Sequence, residues 1–307
     1  MVVAPSGEQF EIAGGGYRAV VTESGAGLRV LEYDGAPLVQ GYDEDAMASG
    51  GRGQLLLPWP NRIQDGAYSF HGRELQLAIS EPALHNASHG LTRWTSWTVE
   101  ETTAHSVALM YRLMAQSGYP WTLDLEVQYD LSATGLTVTV TVSNLSEEPA
   151  PYAQGAHPYL TVGPGPVDGW ELLLPAATRV LTDERLLPSG TEPVGDTRYD
   201  FRLSRPIKDL QLDDAFTDLV RDASGRAQVE LHDPATGRRV ALWMDAAHGW
   251  IQAFTGDTLP VGARAALAVE PMTAPANAFR SGDGLLTLGA AGTPDDTHSS
   301  SWGITAL

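Results

Sequence analysis

The sequence predicts an all-β protein, a large antiparallel β-sandwich, and three observations lead there. Roughly fifteen short segments either alternate apolar with polar residues or are crowded with β-branched and aromatic ones, the marks of half-buried and buried strands. Turn-forming residues separate these segments at short intervals, as in sandwiches and barrels. No segment carries a long, well-capped period of 3.6. The clearest strand is 135–143, where Leu136, Val138, Val140 and Val142 fall on one face.

Taken in order, residues 17–23 and 27–33 form a hairpin around Ser24-Gly25-Ala26, and 67–70 pairs with 74–77 around His71-Gly72-Arg73. Strands follow at 94–101, 105–114, 121–131 and 135–143. After a loop that carries His157 they resume at 169–174, 178–181, 216–220, 226–232, 238–245, 250–255, 265–270, 284–289 and 300–306. Short helical turns are expected near 42–48 and 206–210. Gly163-Pro-Gly-Pro166 is too short to separate domains, and no repeat of fixed period is present, so residues 1–307 are expected to form one domain.

Composition excludes several function classes. Carboxylates outnumber basic side chains 38 to 19, a formal charge of −19. Nucleic acid and anionic membranes both require a basic surface, so neither is an expected partner. The chain has no cysteine, which removes disulfide and thiolate chemistry. Met1 to Phe10 lacks the basic and apolar regions of a signal peptide, and no apolar run is long enough to span a bilayer. The expectation is a soluble cytoplasmic protein, monomer or homodimer, with no cofactor and no metal.

Five stretches carry chemistry-bearing residues. In Leu57-Pro-Trp-Pro-Asn61-Arg62-Ile63 two prolines argue against a central strand, and Arg62 offers a forked donor for hydroxyls or a carboxylate. His85-Asn-Ala-Ser-His89-Gly90 places two histidines on an irregular segment, but no third ligand of fitting spacing accompanies them. Pro151 to Leu160 presents His157 between Gly155 and Pro158, beside Tyr159, on backbone held extended by the proline. Asp213 and Asp214 open a strand as adjacent carboxylates. Glu270 stands at the tip of an apolar strand and is followed by Pro271. Nothing else nearby is charged, so partial desolvation is expected to raise its pKa toward that of a general base. Trp59, Trp94, Trp97, Trp121 and Trp250 supply flat faces suited to core packing or to the C–H side of a sugar ring.

Together these pieces resemble the aldose 1-epimerase (galactose mutarotase) family: Asn61-Arg62-Ile63, Asn86-Ala-Ser-His89-Gly90, His157-Pro158-Tyr159, Asp213-x-x-Phe216, and Glu270 with the trailing Asn277, in the family's order over residues 52–280. The run Val269-Glu-Pro-Met-Thr-Ala-Pro-Ala-Asn-Ala-Phe279 is most similar to a bacterial subgroup of sugar epimerases. The resemblance implies a β-sandwich with an open, cleft-like face. It implies Glu270 as catalytic base, His157 as general acid and His89 as an assisting group. Arg62 and Asp213, with Asn61 and Tyr159, are the implied sugar-binding residues, and the implied partner is a small-molecule sugar. Asp213 is followed by Asp214 where the family often has His, which leaves either carboxylate as binder, and Gly90 is followed by Leu91 where many members have a second glycine.

The implied reaction interconverts α and β anomers by taking the C1 hydroxyl proton while protonating the ring oxygen O5. A carboxylate beside His157 is expected to raise the histidine's pKa. Two alternatives accompany this reading. One is an epimerase of an anionic sugar, phosphate- or sulfonate-bearing, whose pocket should hold a further Arg or Lys near Arg62. The other is a non-catalytic carbohydrate-binding protein on the same fold.

Overall fold

A computed structural model of the chain describes residues 3–307; Met1 and Val2, where the stretch read for a signal peptide begins, lie outside them. Two large antiparallel sheets dominate, one of nine strands and one of eight. In the nine-stranded sheet the longest ladder joins Leu123–Ser132, Gly135–Asn144 and Thr297–Ala306. The alternation read in the sequence is the burial pattern observed, with Leu136, Val138, Val140 and Val142 all inside. They share one apolar cluster with Ile251, Ala253, Leu267 and Val269 of the eight-stranded sheet, and this cluster reaches from Ile12 to Ile304. Period-two geometry therefore sends one face of each sheet into a common core and leaves the other face free.

The eight-stranded sheet positions the candidate site. Its central strands are Asp213–Leu219, Trp250–Phe254 and Leu267–Met272, flanked by Gly155–Ala156 and Leu55–Leu56 on one side and by Ala176–Thr182 and Pro188–Pro193 on the other. Tyr159–Leu160 also pairs with Leu267–Met272. Because Ile251, Ala253, Leu267 and Val269 point into the core, the residues between them, Gln252 and Glu270, point to the opposite face. They stand directly across from each other in register.

Among the described residues helix is confined to the single turns Val167–Gly169 and Ala278–Ser281. The helical turns expected at 42–48 and 206–210 are not there. Each holds only a tight turn, at Glu44–Asp45 and at Lys208–Asp209, where aspartate favours a local turn over helix, and Pro206 ends a short strand. The turn at 278–281 escaped notice because Asn277 precedes it in a left-handed conformation (φ 65°) with no side-chain cap. Several short strands also went unread, among them Leu55–Leu56, Asn86–Ser88 and Gly155–Ala156, since two or three residues carry no period. Among the described residues no helix is long and apolar enough to cross a membrane.

Candidate active site

A cleft of about 490 Å³ opens on the free face of the eight-stranded sheet, lined by Asn61, Arg62, His89, Arg93, His157, Asp213, Gln252 and Glu270 among others. Residues as far apart in the chain as Asn61 and Glu270 thus meet at one place. Each is set there by its local backbone.

His157 is tied at both ends. Its N–H donates to the Gln54 carbonyl (3.0 Å), and its own carbonyl accepts from the Gly53 N–H (3.0 Å). The imidazole stacks on Tyr159 (centroids 5.0 Å apart, planes 10° apart) and meets His89 edge-on at 5.7 Å. Gly51 closes over the ring, where a β-carbon would fall 2.5 Å from Cδ2, so only glycine permits this approach. The stiffness expected from Pro158 is therefore reinforced by packing from three directions.

At the base of the cleft His157 Nε2 lies 3.3 Å from Glu270 Oε1, with both side chains buried. Neither His157 Nδ1 nor Glu270 Oε2 has a partner among the described residues. Burial disfavours both charged forms. It pushes Glu270 well above the usual carboxylate range, with the negative charge of Asp213 acting in the same direction. It lowers His157 to about 3, helped by the positive charges of Arg93, Arg52 and Arg62. The expectation that a nearby carboxylate would raise the histidine is thus reversed, because desolvation and three guanidinium groups outweigh a partner that is itself driven neutral. Burial thus favours the neutral form of both the imidazole and the carboxyl group.

His89 and Asn61 form a reciprocal pair. The His89 N–H donates to the Asn61 carbonyl (2.8 Å) and the Asn61 N–H donates to His89 Nδ1 (3.2 Å). Both residues have left-handed backbone, φ 61° and 54°, a conformation uncommon outside glycine that concentrates at functional sites. Burial, followed by the charges of Arg93, His157 and Arg62, holds His89 well below the usual histidine value. With Nδ1 accepting, the proton of this neutral ring lies on Nε2, which makes His89 a donor.

Asp213 and Gln252 complete the polar lining. Gln252 Nε2 donates to Asp213 Oδ1 (2.8 Å), and Asn61 Nδ2 donates to Gln252 Oε1 (3.4 Å). Burial raises the Asp213 pKa. Asp214 is excluded from the cleft, since the next residue on a strand faces the other side, and it is paired there with Arg179 at 2.7 Å. Of the two adjacent carboxylates, Asp213 is the one that meets the cavity.

Arg62 lines the cleft, but its fork is largely engaged. Nε and Nη2 donate to the two carboxylate oxygens of Glu81 (2.9 and 3.0 Å), and Nη1 donates to Asn61 Oδ1 at 3.3 Å. Tyr159 stands behind His157 rather than in the cavity. Its hydroxyl donates to the Gly50 carbonyl (2.6 Å) and the Arg52 guanidinium lies over its ring, so it orients the imidazole. His85 is exposed and bonded to Asp65, and among the described residues no group of three or more His, Cys, Asp or Glu side chains could hold a metal ion.

Three cleft residues were missed in the sequence. Gln252 had a signal, a buried amide in an otherwise apolar strand, and Glu81 had none. Arg93 was passed over as a neighbour of Trp94. Its half-buried guanidinium faces the cleft with no hydrogen-bonding partner among the described residues. Of the five tryptophans considered, Trp59, Trp97 and Trp121 are core, Trp94 is an exposed wall of the cleft, and Trp250 lies beyond it.

Residues 8–293 match the sequence model of the aldose 1-epimerase family. The Escherichia coli (strain K12) protein YihR, to which no function is assigned, is 37% identical over 284 residues, covering 92% of this chain and 89% of its own. Among solved structures, the fold is similar to that of an aldose epimerase homologue from C. elegans (TM-score 0.85, 20% identity, 98% of each chain). It is also similar to a galactose 1-epimerase from Lactobacillus acidophilus NCFM (TM-score 0.78, 17% identity, 95% of this chain and 92% of that one).

Proposed function

This chain belongs to the aldose 1-epimerase family, and from that premise we propose that it is a cofactor-free mutarotase of a free hexose or hexose derivative. The observation that carries the reading is the His157–Glu270 contact at the base of the cleft. O1 and O5 of a cyclic sugar are bonded to the same carbon. A base and an acid serving them must therefore both reach one acetal carbon from the same cavity, and these two are neighbours in one cleft.

In ring opening the Glu270 carboxylate takes the O1 proton, His157 gives its proton to O5, and the C1–O5 bond breaks to leave an aldehyde. The aldehyde turns about C1–C2. In closure O5 attacks C1 from either face while Glu270 returns a proton to O1 and neutral His157 takes the proton from O5. The state with neutral imidazole and protonated carboxyl is the one that accompanies the open chain. It differs from the carboxylate–imidazolium state only by transfer of one proton between the two groups, so the cycle needs no proton from solvent. His89, a neutral donor through Nε2, supports the reacting oxygens, and Asp213 and Arg62 hold ring hydroxyls. A binding protein would need no such acid and base at the anomeric carbon. NMR exchange spectroscopy on a panel of aldoses tests the reading, with faster α/β exchange expected for at least one of them. No acceleration on any sugar would reject it.

A second reading, an anionic sugar, is favoured by Arg93, the further guanidinium that such a pocket requires. An unpaired Arg lining a cleft otherwise shaped for hydroxyls is a ready partner for phosphate or sulfonate oxygens. Arg93→Gln should then lower kcat/KM for a hexose 6-phosphate or 6-sulfonate by roughly 10–100-fold, the worth of charge-assisted hydrogen bonds, and leave neutral hexoses within about threefold. Equal losses on charged and neutral sugars would remove the anionic reading and leave the mutarotase one standing.

A further inference from the structure

Beyond the catalytic cleft, on the same face of the same sheet, lies a second trough of about 580 Å³, lined by Val180, Thr191, Trp250, Asn277 and Asp283 among others. We propose that this trough is a second sugar subsite, receiving the non-reducing ring of a reducing disaccharide whose free anomeric end lies at Glu270. The proposal rests on the mutarotase reading for that anomeric end, while the trough itself stands on separate observations.

The first is register. Thr191 stands across from Val180, Ala215 from Gln252, and Gln252 from Glu270. Trp250 is two residues before Gln252, so it projects from the same face about 7 Å along the strand. A ligand lying on this face reaches both sites without crossing an edge.

The second is the passage between them. Between the two cavities lies a small space that shares Arg62, Leu186, Asp213 and Gln252 with the cleft, and Val180 and Pro275 with the trough. It has about 10 Å³ of free space, room for little more than one atom. Each cavity has ample room for one pyranose ring, and the small space between them lies where a glycosidic oxygen would pass. The bond would leave the first ring from the hydroxyl side held at Arg62 and Asp213, remote from C1.

The third is the trough's chemistry. Trp250 packs with Val180, Ala215 and Met272, and Gly284 lies so close that a β-carbon there would fall 2.4 Å from ring atom Cζ3. The indole is thus fixed in the trough wall, a platform for the C–H face of a sugar. Around it the Thr191 hydroxyl, the Asn277 Nδ2 amide and the Asp283 carboxylate make no hydrogen bonds with the described residues, leaving both donors and acceptors for ring hydroxyls.

Calorimetry on the Glu270→Gln protein, with maltose, lactose and cellobiose against glucose and galactose, tests the subsite without turnover. At least one disaccharide is expected to bind ten or more times more tightly than its reducing hexose. In this background Trp250→Ala should abolish the advantage, Trp250→Phe should retain part of it, and hexose affinity should stay within about twofold. Asp283 is exposed and unpaired, so Asp283→Ala tests the same trough without endangering the fold. Equal affinities for disaccharide and hexose, or binding of neither, would overturn the proposal. A disaccharide advantage in a protein that accelerates exchange of no sugar would uphold the trough and reject the mutarotase reading.

Discussion

Glu270→Gln should depress kcat for anomer exchange by about 10²–10⁴, the usual worth of a positioned acid–base group, with a smaller change in sugar affinity. The amide keeps the shape of the carboxyl and its contact with His157, but it cannot take the O1 proton. The same substitution should stabilise the fold. The folded-state pKa of Glu270 is raised by burial, so its contribution is fully present below the unfolded value of about 4.3 and is lost as pH rises through the folded value. Glutamine has nothing to ionise. Thermal melts should therefore show the variant matching the native protein near pH ~4 and exceeding it at pH ~8. Near-native exchange by the variant on its best sugar would show that Glu270 is not the base.

The pH profile of kcat/KM should be broad and bell-shaped, with its limbs assigned in reverse of ordinary expectation. The coupled pair holds one proton wherever it is active. As pH falls, a second proton must enter the buried His157, whose value lies at about 3. As pH rises, the single proton leaves the pair as Glu270 passes through its raised value. The acid limb should accordingly fall below the ~4.3 of a free glutamate rather than near the ~6.5 of a free histidine. His157→Asn should lower kcat by about 10²–10⁴ and flatten the acid limb. Stopped polarimetry across the range measures both, and an acid limb near that of free imidazole would show that burial does not hold His157 low.

Much of this was legible in the chain. Leu136, Val138, Val140 and Val142 announce their strand because a sheet with one buried face imposes period two, and the long ladders follow from such segments. Glu270 was legible for the opposite reason, as one carboxylate in a run of apolar residues. Arg62, His89 and Asp213 were placed at the cleft by their motifs. What could not be read was what depends on neighbours distant in sequence. The Arg62–Glu81 pair spans 19 residues and the stack of Arg52 on Tyr159 far more. The sign of the His157 shift turns on its burial and on three arginines, whose approach no local pattern encodes. Tyr159 shows the same limit, since only the Gly50 carbonyl reveals that its hydroxyl is already used.

The pairing of Trp250–Phe254 with Leu267–Met272 has an evolutionary consequence. A slip of either strand by one residue would exchange its faces, driving Gln252 or Glu270 into the apolar interior and bringing Ile251 or Val269 out to the cleft. Inheritance of activity is therefore coupled to inheritance of foldability: a lineage that loses this register loses both together. Loops around the rim are under no such constraint, so the cleft's walls can change there while Gln252 and Glu270 stay fixed by the demands of the core.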